Sequence, residues 1–340
     1  MKKIVLPAEW HPQDAIQFTF PHRNTDWITN YEAAVECFVN CIETVSRFQR
    51  AIVVCADQVE VEQYLSHLPQ AQLILVEIPS NDTWVRDHGG ITILENGKPV
   101  ILDFQFNAWG LKFAADQDNL ITKRLHEKET FNTGLRTIGL VLEGGSIESD
   151  GKGTLLTTSA CLLSPNRNPY LSQAEIENQL KSLFGLERVL WLHHGHLEGD
   201  DTDAHIDTLA RFCDEKTIAY VQCKNEADSH YAALKAMEKE LQQFKTLQGE
   251  PYQLIPLPMT DPIHDSNGQR LPATYANFLI INDAVLVPTY GIRQDEVALQ
   301  ILKDVFKDRK IIGINCRALI EQHGSLHCIS MQYPKGVLSE

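Results

Sequence analysis

The chain reads as an α/β protein built from repeated strand and helix modules. Short β-branched-rich runs recur along its whole length, amphipathic helical stretches lie between them, and no break in composition or low-complexity linker divides it. One domain over residues 1–340 therefore fits better than two.

The strand-like runs fall at 51–55, 73–76, 100–102, 154–157, 189–192, 217–221, 278–281, 284–287 and 311–314, most of them bounded by Gly, Pro, Asn or Asp. Four stretches carry apolar residues at helical spacing: 29–48, 172–184, 225–246 and 294–306. In the third, Ala227, Tyr231, Leu234, Met237, Leu241 and Phe244 form the stripe. The stretches 132–136 and 262–270 read as surface loops.

A hydrophobic content of 43% is ample for a core, and a net charge of −15 disfavours nucleic acid and anionic membranes while favouring small cations. No run approaches the roughly 20 apolar residues that span a bilayer. The N-terminus reaches Glu9 before a secretory apolar core forms. The eight cysteines show no paired spacing, which fits reduced thiols and a cytoplasmic setting.

Chemistry concentrates in four places. In the first, Trp84-Val85-Arg86-Asp87 offers a carboxylate able to accept parallel N–H bonds from a guanidinium and an indole face to cover it. The same residues also suit a surface ion pair beside a core tryptophan. In the second, Asp200 to Asp207 places His205 and Asp207 on one face if the segment is extended, with Asp201 and Asp203 adding negative potential.

The neighbouring His193, His194, His196 and Glu198 make metal binding a rival there. No zinc-site spacing is present, so a surface histidine cluster explains them better and no metal is expected. The third place is Cys328, a candidate thiol nucleophile; His327 beside it would face away in an extended segment and is a poor base. The fourth is Glu143-Gly144-Gly145-Ser146, an acidic residue before paired glycines, with a plain turn as the alternative.

Together with Leu6-Pro7-Ala8-Glu9-Trp10 and Pro165-Asn166-Arg167-Asn168-Pro169, these segments resemble, in order and over nearly the whole chain, the agmatine deiminase and bacterial-type peptidylarginine deiminase family of the guanidino-group-modifying superfamily. The resemblance implies a five-module α/β propeller of the pentein kind, with the site on its axis. It implies Cys328 as nucleophile, His205 as proton carrier, Asp87 and Asp207 as clamps on the guanidinium, and Trp84, Glu143 and Asp201 lining the substrate cleft. No cofactor and a possible homodimer follow from the same source.

The implied reaction is hydrolysis of agmatine to N-carbamoylputrescine and ammonia. A deiminase of free or peptidyl arginine, with Arg86, Arg293 or Arg317 holding a carboxylate or backbone, and an amidinotransferase are the alternatives. Three places depart from the family pattern: Ala204, where glycine is frequent; His323-Gly324-Ser325-Leu326, where glycines and asparagine are common; and Ile329-Ser330-Met331-Gln332-Tyr333-Pro334, where a Thr-Gln-Gln run is more usual.

Overall fold

A computed structural model of the chain describes residues 3–339. Its strands fall into five separate sheets that share one plan. In each, a strand pairs antiparallel with the next strand in the chain or, in one case, the first complete one, and that strand then pairs parallel with a third.

The trios are Ile91–Glu95, Lys98–Gln105 and Gly134–Val141; Ile147–Ser149, Thr154–Thr158 and Arg188–Leu192; Ala210–Asp214, Thr217–Gln222 and Gln253–Pro258; and Leu279–Ile280, Ala284–Thr289 and Lys310–Asn315. The fifth joins the two ends of the chain: Met331–Pro334 lies antiparallel to Gln13–Thr19, which runs parallel to Arg50–Cys55. Leu73–Glu77 extends that sheet, and Ile4–Val5 adds an edge to the first.

Parallel neighbours need a crossover, and helices supply it. Tyr31–Ser46, Ile121–Glu127, Gln173–Phe184, Tyr231–Leu241 and Gln294–Val305 each lie between the two parallel strands of one sheet. Helix Gln173–Phe184 shows why such a segment folds. Ser172 and Glu175 form a reciprocal capping box, Ile176, Leu180 and Phe184 form its buried stripe, and Gly185 ends it at φ +69°. A Cβ at Gly185 would meet the Ile4 carbonyl oxygen at 2.1 Å.

Strand Arg50–Cys55 is buried along both faces, as a covered parallel strand requires. Ala51, Val53 and Cys55 face one apolar cluster, and Ile52 and Val54 the other. Among the described residues, no helix is long and apolar enough to cross a membrane.

Several expectations shift. Residues 134–136 begin a strand rather than lie in a loop. The helix expected over 225–246 spans only Tyr231–Leu241, because 225–230 form turns in which Asn225 and Asp228 side chains hold backbone N–H groups. Neither chemical segment expected to be extended is so: Ile206–Thr208 is a 3-10 turn, and 326–329 are turns as well.

Candidate active site

The shared plan gives the site its address. Just before the antiparallel strand that opens each trio, the chain makes a short turn, and all five turns carry polar groups inward. They hold Asp87, Glu143, the pair His205 and Asp207, Asn277, and the pair His327 and Cys328. Sequence reading found four of these segments; Asn277 lies in a stretch with no acidic or glycine signal.

Gly145 is where three of them converge. A Cβ there would stand 2.6 Å from His205 Nδ1, 2.8 Å from Asp87 Oδ1 and 3.2 Å from Asp207 Oδ2, so only glycine fits. Asp87 accepts from Trp109 Nε1 at 2.9 Å and from the Gly145 N–H at 3.1 Å, and His205 Nδ1 lies 3.5 Å from Asp87 Oδ1. Asn277 braces the other side: its Nδ2 donates to the Asp207 carbonyl at 3.2 Å, while its Oδ1 accepts from His327 N at 2.9 Å and faces Cys328 Sγ at 3.4 Å.

Cys328 opens into a cavity of about 170 Å³. Trp84 and Trp109 supply indole walls, and Asp26, Asp82, Asp87, Asp200 and Asp201 supply carboxylates, with no lysine or arginine in the lining. A Cβ on Gly324 would strike the Trp84 ring at 2.1 Å, so glycine lets that indole lie against the loop before Cys328. Such a cavity selects a cation with a planar or apolar stem.

Trp109 was not anticipated from the sequence. It sits in a loop where Ala108, Trp109 and Leu111 all take left-handed φ of 52–68°, strain that bulky residues tolerate only when surroundings enforce it. The enforcement is visible: Trp109 packs edge-on against Phe106 and Phe113 and gives its N–H to Asp87.

Proton affinities are set by burial and neighbours. Burial, then Asp207 and Asp87, push the Cys328 thiol well above its ordinary range. Burial and Asp207 push Asp87 up, and burial holds the His205 imidazole down at about 3. Burial would raise Asp207 too, but the hydrogen bond and charge of His327 outweigh it and keep Asp207 below its ordinary value. At neutral pH the empty site thus holds a thiol, a neutral His205 and an ionised Asp207.

Of the residues expected to line the cleft, Trp84 and Asp201 do so. Glu143 does not. It is fully buried behind His205, where Arg167 Nε contacts both its oxygens at 2.9 and 3.0 Å. Arg167 also reaches Asp203 at 2.6 Å and the Thr202 carbonyl at 2.9 Å, tying Glu143 to the loop that carries His205. That gives the 165–169 segment a structural task that its sequence did not disclose.

Within that loop Asp200 accepts from Thr202 and Ala204, and Asp203 and Ala204 both take left-handed φ, at 66° and 65°. Ala204 thus stands where glycine would be at ease. His323 is likewise left-handed, at 67°.

The remaining candidates fall outside the cavity. Arg86 is buried on the far side, giving its Nη1 to Gln332 at 2.6 Å; Arg293 pairs with Asp261 at 3.0 Å and Arg317 with Glu321 at 3.1 Å. His193 and His194 are exposed, and His194 is held by Glu240. His88 is buried against Phe106 and does not touch the cavity.

A sequence model of the Porphyromonas-type peptidyl-arginine deiminase family matches residues 5–334. The agmatine deiminase of Stutzerimonas stutzeri strain A1501 is 33% identical over 355 residues, spanning 97% of this chain and 95% of its own. Among solved structures, a cysteine-to-serine variant of C. jejuni agmatine deiminase with substrate bound has a TM-score of 0.94 at 38% identity, covering 99% of this chain and 98% of its own. A Porphyromonas gingivalis protein provisionally described as an arginine deiminase has a TM-score of 0.94 at 52% identity, covering 99% and 100%. A match over nearly the whole chain, joined to relatives above 30% identity, means that the chain belongs to the Porphyromonas-type peptidyl-arginine deiminase family.

Proposed function

We propose that the protein hydrolyses agmatine to N-carbamoylputrescine and ammonia through a covalent thiouronium on Cys328. The observation that carries this reading is the cavity: the Cys328 thiol, under the influence of Asp207 and Asp87, opens among five aspartates with no lysine or arginine in the lining.

A guanidinium entering between Asp87 and Asp207 neutralises the charges that hold the thiol protonated, so the substrate itself eases thiolate formation. The thiol proton passes to His205, and sulfur attacks the central guanidinium carbon. His205 returns that proton to the departing nitrogen as the C–N bond breaks, releasing ammonia. It next takes a proton from water, whose oxygen attacks the same carbon. The C–S bond then breaks as His205 returns its proton to sulfur, and the added hydroxyl loses its proton to solvent, giving the ureido product and restoring the thiol. Asp87 and Asp207 fix the orientation, a term that can be large in itself. Glu143, Arg167, Trp109 and Asn277 hold the reacting groups in place.

Relatives named for agmatine and for arginine both exist, so the far end of the substrate has to be argued from charge. An α-carboxylate would enter a cavity with five aspartates and no cation to meet it. Two like charges about 4 Å apart repel by about 4 kcal/mol at an effective dielectric of 20. The amine of agmatine instead finds Asp26 and Asp201 available in the lining.

The reading also takes residues 1–340 as a single catalytic domain, with the five modules set around a common axis as a propeller. Five sheets of one plan and five inward turns support it. Placement in the cytoplasm and assembly as a homodimer belong to the same proposal.

The test is to incubate the protein separately with agmatine, arginine and an arginine peptide, measuring ammonia and ureido product. Agmatine turned over at least about a hundredfold faster than the others, and lost in Cys328→Ala, is the expected result. Faster turnover of arginine or of the peptide would replace the substrate assignment. Transfer of the amidino group to an added amine would replace hydrolysis.

A further inference from the structure

Behind Asp207, away from the cavity, His327 sits buried between two carboxylates. Its Nδ1 lies 2.8 Å from Asp207 Oδ2 and its Nε2 lies 2.6 Å from Glu9 Oε2. The ring lines a second, smaller cavity of about 50 Å³ together with Glu9, Arg86 and Glu148, while Cys328, the next residue, lines the first. The peptide between His327 and Cys328 thus separates a reacting face from a supporting one.

We propose that His327 is a positioning residue, an imidazolium that donates from both ring nitrogens and thereby holds Asp207 ionised and aimed at the substrate guanidinium. The inference rests on the deiminase reading for its consequence but not for its geometry.

Two contacts of this length to ionised oxygens require an N–H on each nitrogen, because a neutral ring would point a lone pair at one carboxylate. Every charged group around the ring takes part. Glu9 and Asp207 favour the extra proton. Burial, then Arg211, whose Nη2 reaches Glu9 at 2.9 Å, and Arg86, whose Nη2 is 3.8 Å from Glu9, oppose it and pull the ring's proton affinity below its ordinary value, against which the geometry of the two contacts has to be weighed. Glu148, bonded to Arg211 Nε at 2.9 Å, is pushed up to about 7, chiefly by burial, and does not fix the balance. The two short contacts decide it.

Asp87 has no comparable cation. Its partners are an indole N–H and a backbone N–H, and its proton affinity is raised where that of Asp207 is lowered. The two clamps are therefore not equivalent. Asp207 is tied to a buried imidazole on the side away from the cavity, and Asp87 is held only by neutral donors.

Nitrogen-15 NMR of the full chain labelled at histidine reads the ring directly, without any variant or turnover. Both His327 nitrogens protonated at neutral pH is expected; one unprotonated nitrogen overturns the proposal.

Kinetics supply the second readout. His327→Asn can keep a donor toward Asp207, whereas His327→Gln reaches toward Glu9 and loses Asp207. The Gln variant is expected to raise KM for agmatine at least about tenfold, the size of one charge-assisted hydrogen bond, with the Asn variant less affected. Equal KM in both variants and the parent, with only the active fraction reduced, would indicate a purely structural role and overturn the proposal. If the parent fails to turn over agmatine, the substrate reading falls while the NMR result still judges His327.

Discussion

Two buried histidines flank Asp207 and meet opposite surroundings. His327 has a carboxylate on each ring nitrogen. Neither nitrogen of His205 accepts or donates a hydrogen bond among the described residues, and burial holds its imidazole at about 3. A group that must take and return a proton needs a site where neither state is locked. A group that must hold a neighbour needs both ends tied. The same side chain serves as carrier or clamp according to what its nitrogens meet.

The largest effect expected from breaking this contrast is at His205, the proposed carrier. His205→Asn should lower kcat by about 10²–10⁴, the range of general acid–base catalysis, and leave the melting temperature nearly unchanged, because no protein hydrogen bond is lost. A large drop in melting temperature with little loss of kcat would exchange the two roles.

The next test concerns the thiol that His205 serves. Its proton affinity is raised, so the thiolate is scarce below the ordinary thiol range and gains as pH rises. Alkylation of Cys328 without substrate should be slow at pH 7 and keep accelerating beyond pH 9; full reactivity well below pH 7 would contradict the site's electrostatics. Bound guanidinium should shift the profile toward lower pH.

Trp109→Phe removes the side-chain donor that holds Asp87 and keeps most of the packing. A loss of about tenfold in kcat/KM is expected from one hydrogen bond to a charged group, with stability little changed. The smallest effect is at Ala204, beside the carrier. With φ at 65°, Ala204→Gly should relieve strain and stabilise the fold by about 1 kcal/mol in denaturant titration, leaving KM unaltered.

What could be read from sequence was what is local. Runs such as 51–55 and 284–287 declared themselves by β-branched residues, and the structure has strands Arg50–Cys55 and Ala284–Thr289 there. Strands Gln13–Thr19, Gly134–Val141 and Gln253–Pro258 went unread because they carry polar residues, glycine or proline, and gain their order from neighbours rather than propensity.

The acidic and cysteine segments were legible because the chemistry compresses into a few residues. Trp109 was not, nor were the tasks of Asn277 and Glu9, since each acts on a partner more than twenty residues away: Asp87, Cys328 and His327. Even Asp87 and Glu143, both quoted from sequence, differ only in three dimensions: one meets the cavity and the other meets Arg167.

The sheet that unites Met331–Pro334 with Gln13–Thr19 ties completion of the site to the meeting of two distant strands. During synthesis the carboxylates of the middle modules can gather early, but the sulfur arrives only when the final strand finds the first. On the proposed mechanism a partly made chain is chemically silent rather than weakly active. Joining the two ends through a short linker and opening the chain at the 262–270 loop should yield a protein that folds in a different order and reacts in the same way.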